Sequence, residues 1–450
     1  MIPTWFHRVT NVRRGEAAPL LLAALFFFCV LTALMLLRPA REALGMQRGI
    51  EAIRWLFFGT VLVTLAVNPL FGWLVSRLRR MVFVSATYGF FVAGLLAFYA
   101  LLKLAPASVG ITSGQVFYVW FSVFNLFATM LFWALMTDRF SEEQSRRLFG
   151  AIAVGGTLGA IFGPWLASQL AKPLGTATLL PIAAGFLVLG LAAAFALMRV
   201  RSDREAGLRG GHSPSTNASP ADRTDVDDRV PIGGSAWEGF KSVFASPLLL
   251  GICAYVLILA VISTFLYFTR LQMVAALGTS LDMRTTVFAQ IDLITQIATL
   301  VLQAFIAGHL MKRLGLAVTL ALLPITTALG FVGLALVGSL AALIAFEAIF
   351  KAVQRGIMRP ARETLFTTVS RSDRYKAKAF IDTFVYRAGD VVGAQTEGLL
   401  GKLGMGLAAL VSIALPLALA WAALGLWLGR MHRQRAGVDT VELNRGGEPS

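Results

Sequence analysis

Apolar residues in this chain come in unbroken runs of about 20, not in the alternation of a strand or the narrow stripe of a surface helix. Twelve runs stand out, at 18–37, 53–75, 81–104, 114–137, 148–171, 176–198, 247–269, 285–310, 316–339, 340–358, 379–400 and 404–428. Coiled as a helix, each is long enough to cross roughly 30 Å of hydrocarbon. The pattern therefore predicts an all-α integral membrane protein with twelve transmembrane helices. A membrane β-barrel would alternate apolar and polar residues and is excluded. A polar stretch containing Gly210-Gly211, Ser213-Pro214-Ser215 and Asp225-Val226-Asp227-Asp228 divides the runs six and six. Its few apolar residues and mixed charge are those of a flexible linker. The expected organisation is a six-helix half at 1–198, a linker at 199–246, a second six-helix half at 247–430 and a tail at 431–450.

Composition agrees: 57% of residues are apolar and 14% charged. In a soluble protein a net charge of +16 would suggest nucleic acid. Here the basic residues follow topology. The N-terminus, the loops after even-numbered spans and the C-terminus hold 28 of the 40 Lys and Arg; the opposite loops hold 9 and the spans 3. Both termini and the linker are therefore expected in the cytoplasm. Four of the nine exceptions, Arg38, Arg41, Arg48 and Arg54, crowd the connection between spans 1 and 2, so something other than topology requires them there. Cys29 and Cys253 lie inside apolar runs and predict no disulfide. The first run ends in charge without a small-residue cleavage site, so it reads as a retained span and not a signal peptide.

Three sequence patterns occur twice. Arg38-Pro-Ala-Arg41-Glu42-Ala43-Leu44 closes span 1, and Arg359-Pro-Ala-Arg362-Glu363-Thr364-Leu365 closes span 10. These clusters would sit at the outer and inner mouths of a bundle built from inverted repeats, as gates. The alternative is a pair of helix-ending turns, with proline stopping the helix and Arg suiting its C-terminal dipole. Gly72-x-Leu74-x-Ser76-Arg77 after span 2 returns as Gly308-x-Leu310-x-Lys312-Arg313 after span 8. Gly155-x-x-x-Gly159 in span 5 returns as Gly389-x-x-x-Gly393 in span 11. Such glycine pairs let two helix backbones approach closely in lipid.

Charge inside the spans supplies the candidate chemistry. Glu347, Lys351 and Arg355 share one face of span 10. Asp382, Tyr386, Asp390 and Glu397 share a stripe of span 11 with Arg387 at its flank. Asp292, Thr295, Gln296, Thr299 and Gln303 share a face of span 8, where they would line the same cavity or bond neighbouring helices. An ionisable group at mid-depth costs at least ~2.5–3.5 kcal/mol if it faces lipid, so these groups should turn inward. They form either a solute or proton site, or a salt-bridge network that holds spans together. Expected solute ligands are Lys351, Arg355, Arg387, Gln296 and Asn125; expected proton or coupling groups are Asp292, Asp390 and Glu347; expected gates are Arg38, Arg41, Glu42, Arg359, Arg362 and Glu363. The aromatics Tyr118, Trp120, Phe121, Phe124 and Trp133 would stack a base or simply pack. No metal-ligand spacing and no phosphate-binding Gly-x-x-x-x-Gly-Lys-Ser/Thr occurs, so neither a metal, a cofactor nor ATP hydrolysis is expected.

Twelve spans in two halves, a central linker and the repeated loop after spans 2 and 8 resemble the major facilitator superfamily. Ser76 and Lys312 stand where that family's loop has aspartate. A narrower resemblance rests on Trp120 through Trp133, Phe140 through Gly150 with Gly155-Gly156, and Arg359 through Asp390. These blocks are similar to bacterial relatives of the ATP/ADP translocase family. The resemblance implies a secondary transporter of the bacterial inner membrane that moves an organic anion, with ATP/ADP-type nucleotide exchange as its specific form. Its partners would be a small anionic solute and membrane lipid, with neither nucleic acid nor an obligate protein partner. The alternatives are a proton-coupled carrier of another organic anion or a drug-like solute, with Asp390 or Asp292 carrying the proton, and a non-transporting membrane scaffold or sensor. None of these is an enzyme.

Overall fold

The computed structural model describes residues 13, 15–77, 80–200, 243–244, 246–278, 280–369, 377–378, 380–404 and 406–445, without the side chains of 68–80, 306–313, 383 and 436–445. Most of the expected linker, the side chains of both repeated basic turns, Asn68, and Tyr375 with Lys376 lie outside the described residues. Every described element is helical. The helices are α1 Ala17–Gly45, α2 Ile50–Arg77, α3 Arg80–Leu104, α4 Ala107–Arg139, α5 Glu142–Leu174, α6 Leu179–Arg199, α7 Pro247–Ala276 and α8 Leu281–Leu302. A π-helical turn at Gln303–Ala307 follows, and the next segment, Gly308–Val337, breaks at Gly315, whose φ of 70° suits glycine alone. Its part after Gly315 is α9. α10 comprises Leu340–Val353, a π turn at Gln354–Met358, and Arg359–Leu365. α11 opens with a π turn at Ile381–Val385 and runs through Tyr386–Lys402; α12 is Leu407–Arg445.

Among the described residues ten segments are long and apolar enough to cross a membrane. The two helices that fall short are α10, interrupted by its π turn, and α11, which carries most of its stripe of charge. Both are flanked by apolar helices, so their polar faces turn inward.

One buried cluster is built from α1–α6 with a single contribution from α8, and another from α7 and α9–α12, with Leu302 at the end of α8 packed against it. The glycine repeats explain the seams. A Cβ on Gly155, Gly159 or Gly163 of α5 would stand 2.4, 2.3 and 2.7 Å from the carbonyl oxygens of Ala24, Phe28 and Thr32 on α1. A Cβ on Gly389 or Gly393 of α11 would stand 2.9 and 3.0 Å from those of Leu257 and Val261 on α7. So the first and fifth helices of each group touch backbone to backbone, as small residues permit in lipid.

α1 runs eight residues beyond its expected end at 37, with Pro39 inside it. The proline removes one backbone donor, and packing on α4 and α8 carries the helix past it. Arg38, Arg41 and Glu42 are therefore parts of a buried helix and not of a turn.

The end of α1, the start of α2, the α5–α6 connection, the end of α7, the start of α8 and the end of α11 all lie at one end of the bundle, opposite the start of α1. Polar links join α1–α6 to α7–α12 at this end, among them Lys402 of α11 with Glu51 of α2 at 3.4 Å. Arg54 of α2 donates to Glu397 of α11 at 2.7 Å, and Gln272 of α7 donates to the same carboxylate. Tyr267 of α7 donates to Glu42 of α1 and shares a hydrogen bond with Tyr118 of α4 at 2.9 Å. Thr176 donates through its amide and hydroxyl to Asp282, both at 2.6 Å. At the opposite end, Arg147–Glu16 joins α5 to the start of α1, and Arg362–Asp382 joins α10 to α11.

Candidate solute site

A cavity of about 430 Å³ opens between α1, α2 and α4 on one side and α10 and α11 on the other. Four arginines line it: Arg38 and Arg41 from α1, Arg355 from the π turn of α10, and Arg387 from α11. Thr60, Thr64, Ser122 and Asn125 add polar groups, and Phe57, Phe121 and Met35 add apolar wall.

Each arginine is held from behind. Arg41 lies 3.7 Å above the ring of Tyr118, donates to the Tyr118 carbonyl and to Ser122, and pairs with Glu42 at 2.9 Å. A guanidinium stacked and anchored this way is held in a fixed orientation at the cavity wall. Arg387 pairs with Asp390 at 3.1 Å, and Thr264 of α7 donates to the same carboxylate. Arg38 lies 3.6 Å from Asp292. Arg355 donates to the side-chain oxygen of Gln296 at 2.7 Å, and among the described residues no carboxylate lies within ion-pair distance of it.

Asp292 leads deeper. It accepts from Arg270 of α7 at 3.1 Å, which also donates to Glu347 at 2.9 Å, and Glu347 is paired in turn with Lys351. Asp292, Glu347 and Arg270 are buried. Of the expected coupling groups, Asp292 and Glu347 therefore serve a buried ion network, and Asp390 stays at the cavity's edge. Of the expected solute ligands, Asn125, Arg355 and Arg387 line the cavity, Gln296 stands behind Arg355, and Lys351 belongs to the network. The expected polar wall of α8 does not form: Thr295 and Thr299 are buried with Asp292, and Gln303 is exposed.

The second copy of the repeat behaves like the first in one respect. Arg362 pairs with Glu363 at 3.3 Å, as Arg41 pairs with Glu42. Arg362 also reaches Asp382 at 3.1 Å, Glu363 reaches Lys378 at 2.6 Å, and Arg359 is exposed. Burial alone would raise the Glu363 carboxyl, but the hydrogen bond and charge of Lys378, with Arg362, hold it below its usual value. Arg38 and Arg41, expected at an outer mouth, instead line the central cavity.

The pattern of apolar runs misses Arg270, Tyr267 and Gln272 and marks Arg54 only as an exception to topology. Arg270 and Arg54, expected in loops, are both buried. A signal existed: both are basic residues on the side that the topology rule disfavours. Of the aromatics, Trp120 packs among Phe91, Phe98, Phe117 and Phe124, and Trp133 among Phe27, Phe132 and Phe149. Phe121 alone of the five lines the cavity, and Tyr118 lies beneath Arg41.

No curated protein matches the sequence. Among solved structures, the peptide transporter POT in complex with sulfate superposes with a TM-score of 0.61 at 14% identity, covering 96% of this chain and 99% of that one. A mutant of the nucleoside transporter NupG gives 0.58 at 12% identity, covering 93% and 99%. A bacterial homolog of the human lysosomal transporter Spinster, inward-facing and unoccupied, gives 0.50 at 15%, covering 94% and 97%. At such identities the likeness is one of fold. The sequence model of the Major Facilitator Superfamily matches residues 20–350, most of the chain, and the protein belongs to that superfamily of membrane transporters.

Proposed function

We propose that this transporter moves an organic anion by alternating access, with ATP/ADP-type nucleotide exchange as the specific form suggested by the resemblance of its sequence blocks. The observation that carries the reading is the cavity wall of Arg38, Arg41, Arg355 and Arg387, drawn from both sets of six helices. A phosphate chain or carboxylate is recognised by charge-assisted hydrogen bonds from several such groups. Residues 1–198 and 247–430 act as the two rocking halves, joined by the 199–246 linker in the inner membrane with both termini cytoplasmic. The outer links through Arg54, Glu42 and Asp282 form the closed gate, and the Arg362–Glu363–Lys378 group belongs to the inner one.

A proton-coupled carrier is the second reading, favoured by one feature. Asp390 is buried, yet its partner Arg387 faces the cavity, so a solute that draws Arg387 away leaves a carboxylate that gains by taking a proton.

Uptake into proteoliposomes tests both readings, with labelled nucleotides, phosphate and organic anions, each with and without counter-solute inside. Uptake that requires an anion on the far side supports exchange. Uptake driven by a pH gradient alone supports the proton-coupled reading, and absence of flux with every solute rejects both.

A further inference from the structure

Among the described residues the charges around the cavity form a closed set. Six cations, Arg38, Arg41, Arg270, Lys351, Arg355 and Arg387, line it or join it through ion pairs, against four carboxylates, Glu42, Asp292, Glu347 and Asp390. Two positive charges are left over, and the pairing locates them. Arg41–Glu42 and Arg387–Asp390 are balanced. The chain Arg38–Asp292–Arg270–Glu347–Lys351 holds three cations and two carboxylates, and its cavity end is Arg38. Among the described residues Arg355 meets only the neutral oxygen of Gln296. So the surplus faces the solute at two points, Arg38 on α1 and Arg355 on α10.

Resting on the anion-carrier reading above, we infer that the site selects a solute by charge as well as shape: a dianion with two anionic groups or a doubly charged phosphoryl group, bridging Arg38 and Arg355 and so the two sets of six helices. Uncompensated cations at membrane depth are costly, and two solute charges bring the set to neutrality. A monoanion leaves one cation unmatched. A trianion adds a charge that must be taken from the partners of Glu42 or Asp390. The same bridge gives the solute a hold on both sides of the cavity, which a transporter needs if its solute is to draw them together.

Equilibrium binding to the purified full-length protein near pH 7 tests this with two series: butyrate, glutarate and propane-1,2,3-tricarboxylate, which carry one to three charges, and the mono-, di- and triphosphate of adenosine, which carry about two to four. The wild type should prefer the doubly charged member by about tenfold over its neighbours, the low end of what one charge-assisted hydrogen bond contributes. Arg355→Gln removes one surplus charge, and Gln296→Glu cancels one at the same spot. Both should move the optimum of the carboxylate series to the singly charged butyrate, which a merely structural role would not do. If Arg355→Gln fails to accumulate, Gln296→Glu alone decides. An optimum at three charges, equal binding of all members, or variants that weaken every member alike would overturn the inference while the anion reading stands. Binding of no member of either series would overturn both.

Discussion

Glu397→Gln asks directly whether the outer end of the bundle is a gate. In the structure Glu397 accepts from two nitrogens of Arg54, at 3.2 and 2.7 Å, and its other oxygen accepts from Gln272. Both charged partners are buried, Arg54 at 8% exposure and Glu397 at 3%. Removing one member of a buried pair costs about 3–5 kcal/mol, because the other charge is left uncompensated. Arg54 keeps Glu51 as a second carboxylate, so the low end, about 3 kcal/mol, is the appropriate figure. Of the links to Glu397, the Arg54 pair joins α2 to α11 and Gln272 lies within α7–α12, so in the gate reading the loss of the Arg54–Glu397 pair falls on the outer-closed state. The ratio of outer-open to outer-closed protein should then rise by about a hundredfold. A cysteine at Thr64, which lines the cavity, reports this in a background lacking Cys29 and Cys253. Its labelling by an impermeant maleimide from the outer face should speed up by up to about that factor. If the variant keeps the wild-type melting temperature and labels at the wild-type rate, the Arg54–Glu397 pair is scaffolding and not a gate.

Other consequences follow from the seams and the helix ends. Gly159→Ala would place a Cβ 2.3 Å from the Phe28 carbonyl and should lower the melting temperature in detergent by the equivalent of about 2 kcal/mol, whereas Gly150→Ala, with open space around it, should not. Burial alone would raise the Glu16 carboxyl, but hydrogen bonds from Arg147, the Arg13 amide and Gln144 hold it below its ordinary value of 4.5. Its contribution to stability is therefore present above about pH 4.5 and lost as pH falls through the depressed value, so Glu16→Gln should flatten the acid limb of melting temperature against pH. Cysteines at Ser215 and Ser450 should resist an impermeant thiol reagent in intact cells; labelling of either from outside would invert the assigned orientation.

How legible the protein was in its sequence depended on which physical constraint was at work. Helix number and type follow from the length of apolar runs, because a membrane leaves the backbone no other solution. α10 and α11 form as helices despite their charges, since apolar residues still flank those charges. The glycine seams were legible as motifs, although only the structure gives their partners, α1 and α7. Charge at the ends of runs was not legible. Arg270 follows an apolar run directly, and a basic residue there has the same sequence pattern whether it snorkels to water or turns inward to Asp292 and Glu347. Pro39 misled in the same way, because local propensity ends a helix that tertiary packing continues. In α11 the expected single stripe divides: Asp382, in the π turn at Ile381–Val385, goes to Arg362, while Asp390 and Glu397, two turns apart in the helix that follows, go to Arg387 and Arg54.

The central claim, that the arginine-lined cavity carries an anion across the membrane, is tested most directly by counterflow. Proteoliposomes preloaded with an excess of one unlabelled anion should take up the same labelled anion transiently above equilibrium. Arg387→Gln should abolish that overshoot while the variant still inserts and melts within a few degrees of wild type. An overshoot that survives Arg387→Gln unchanged, or one obtained equally well with neutral and cationic solutes, would contradict the account.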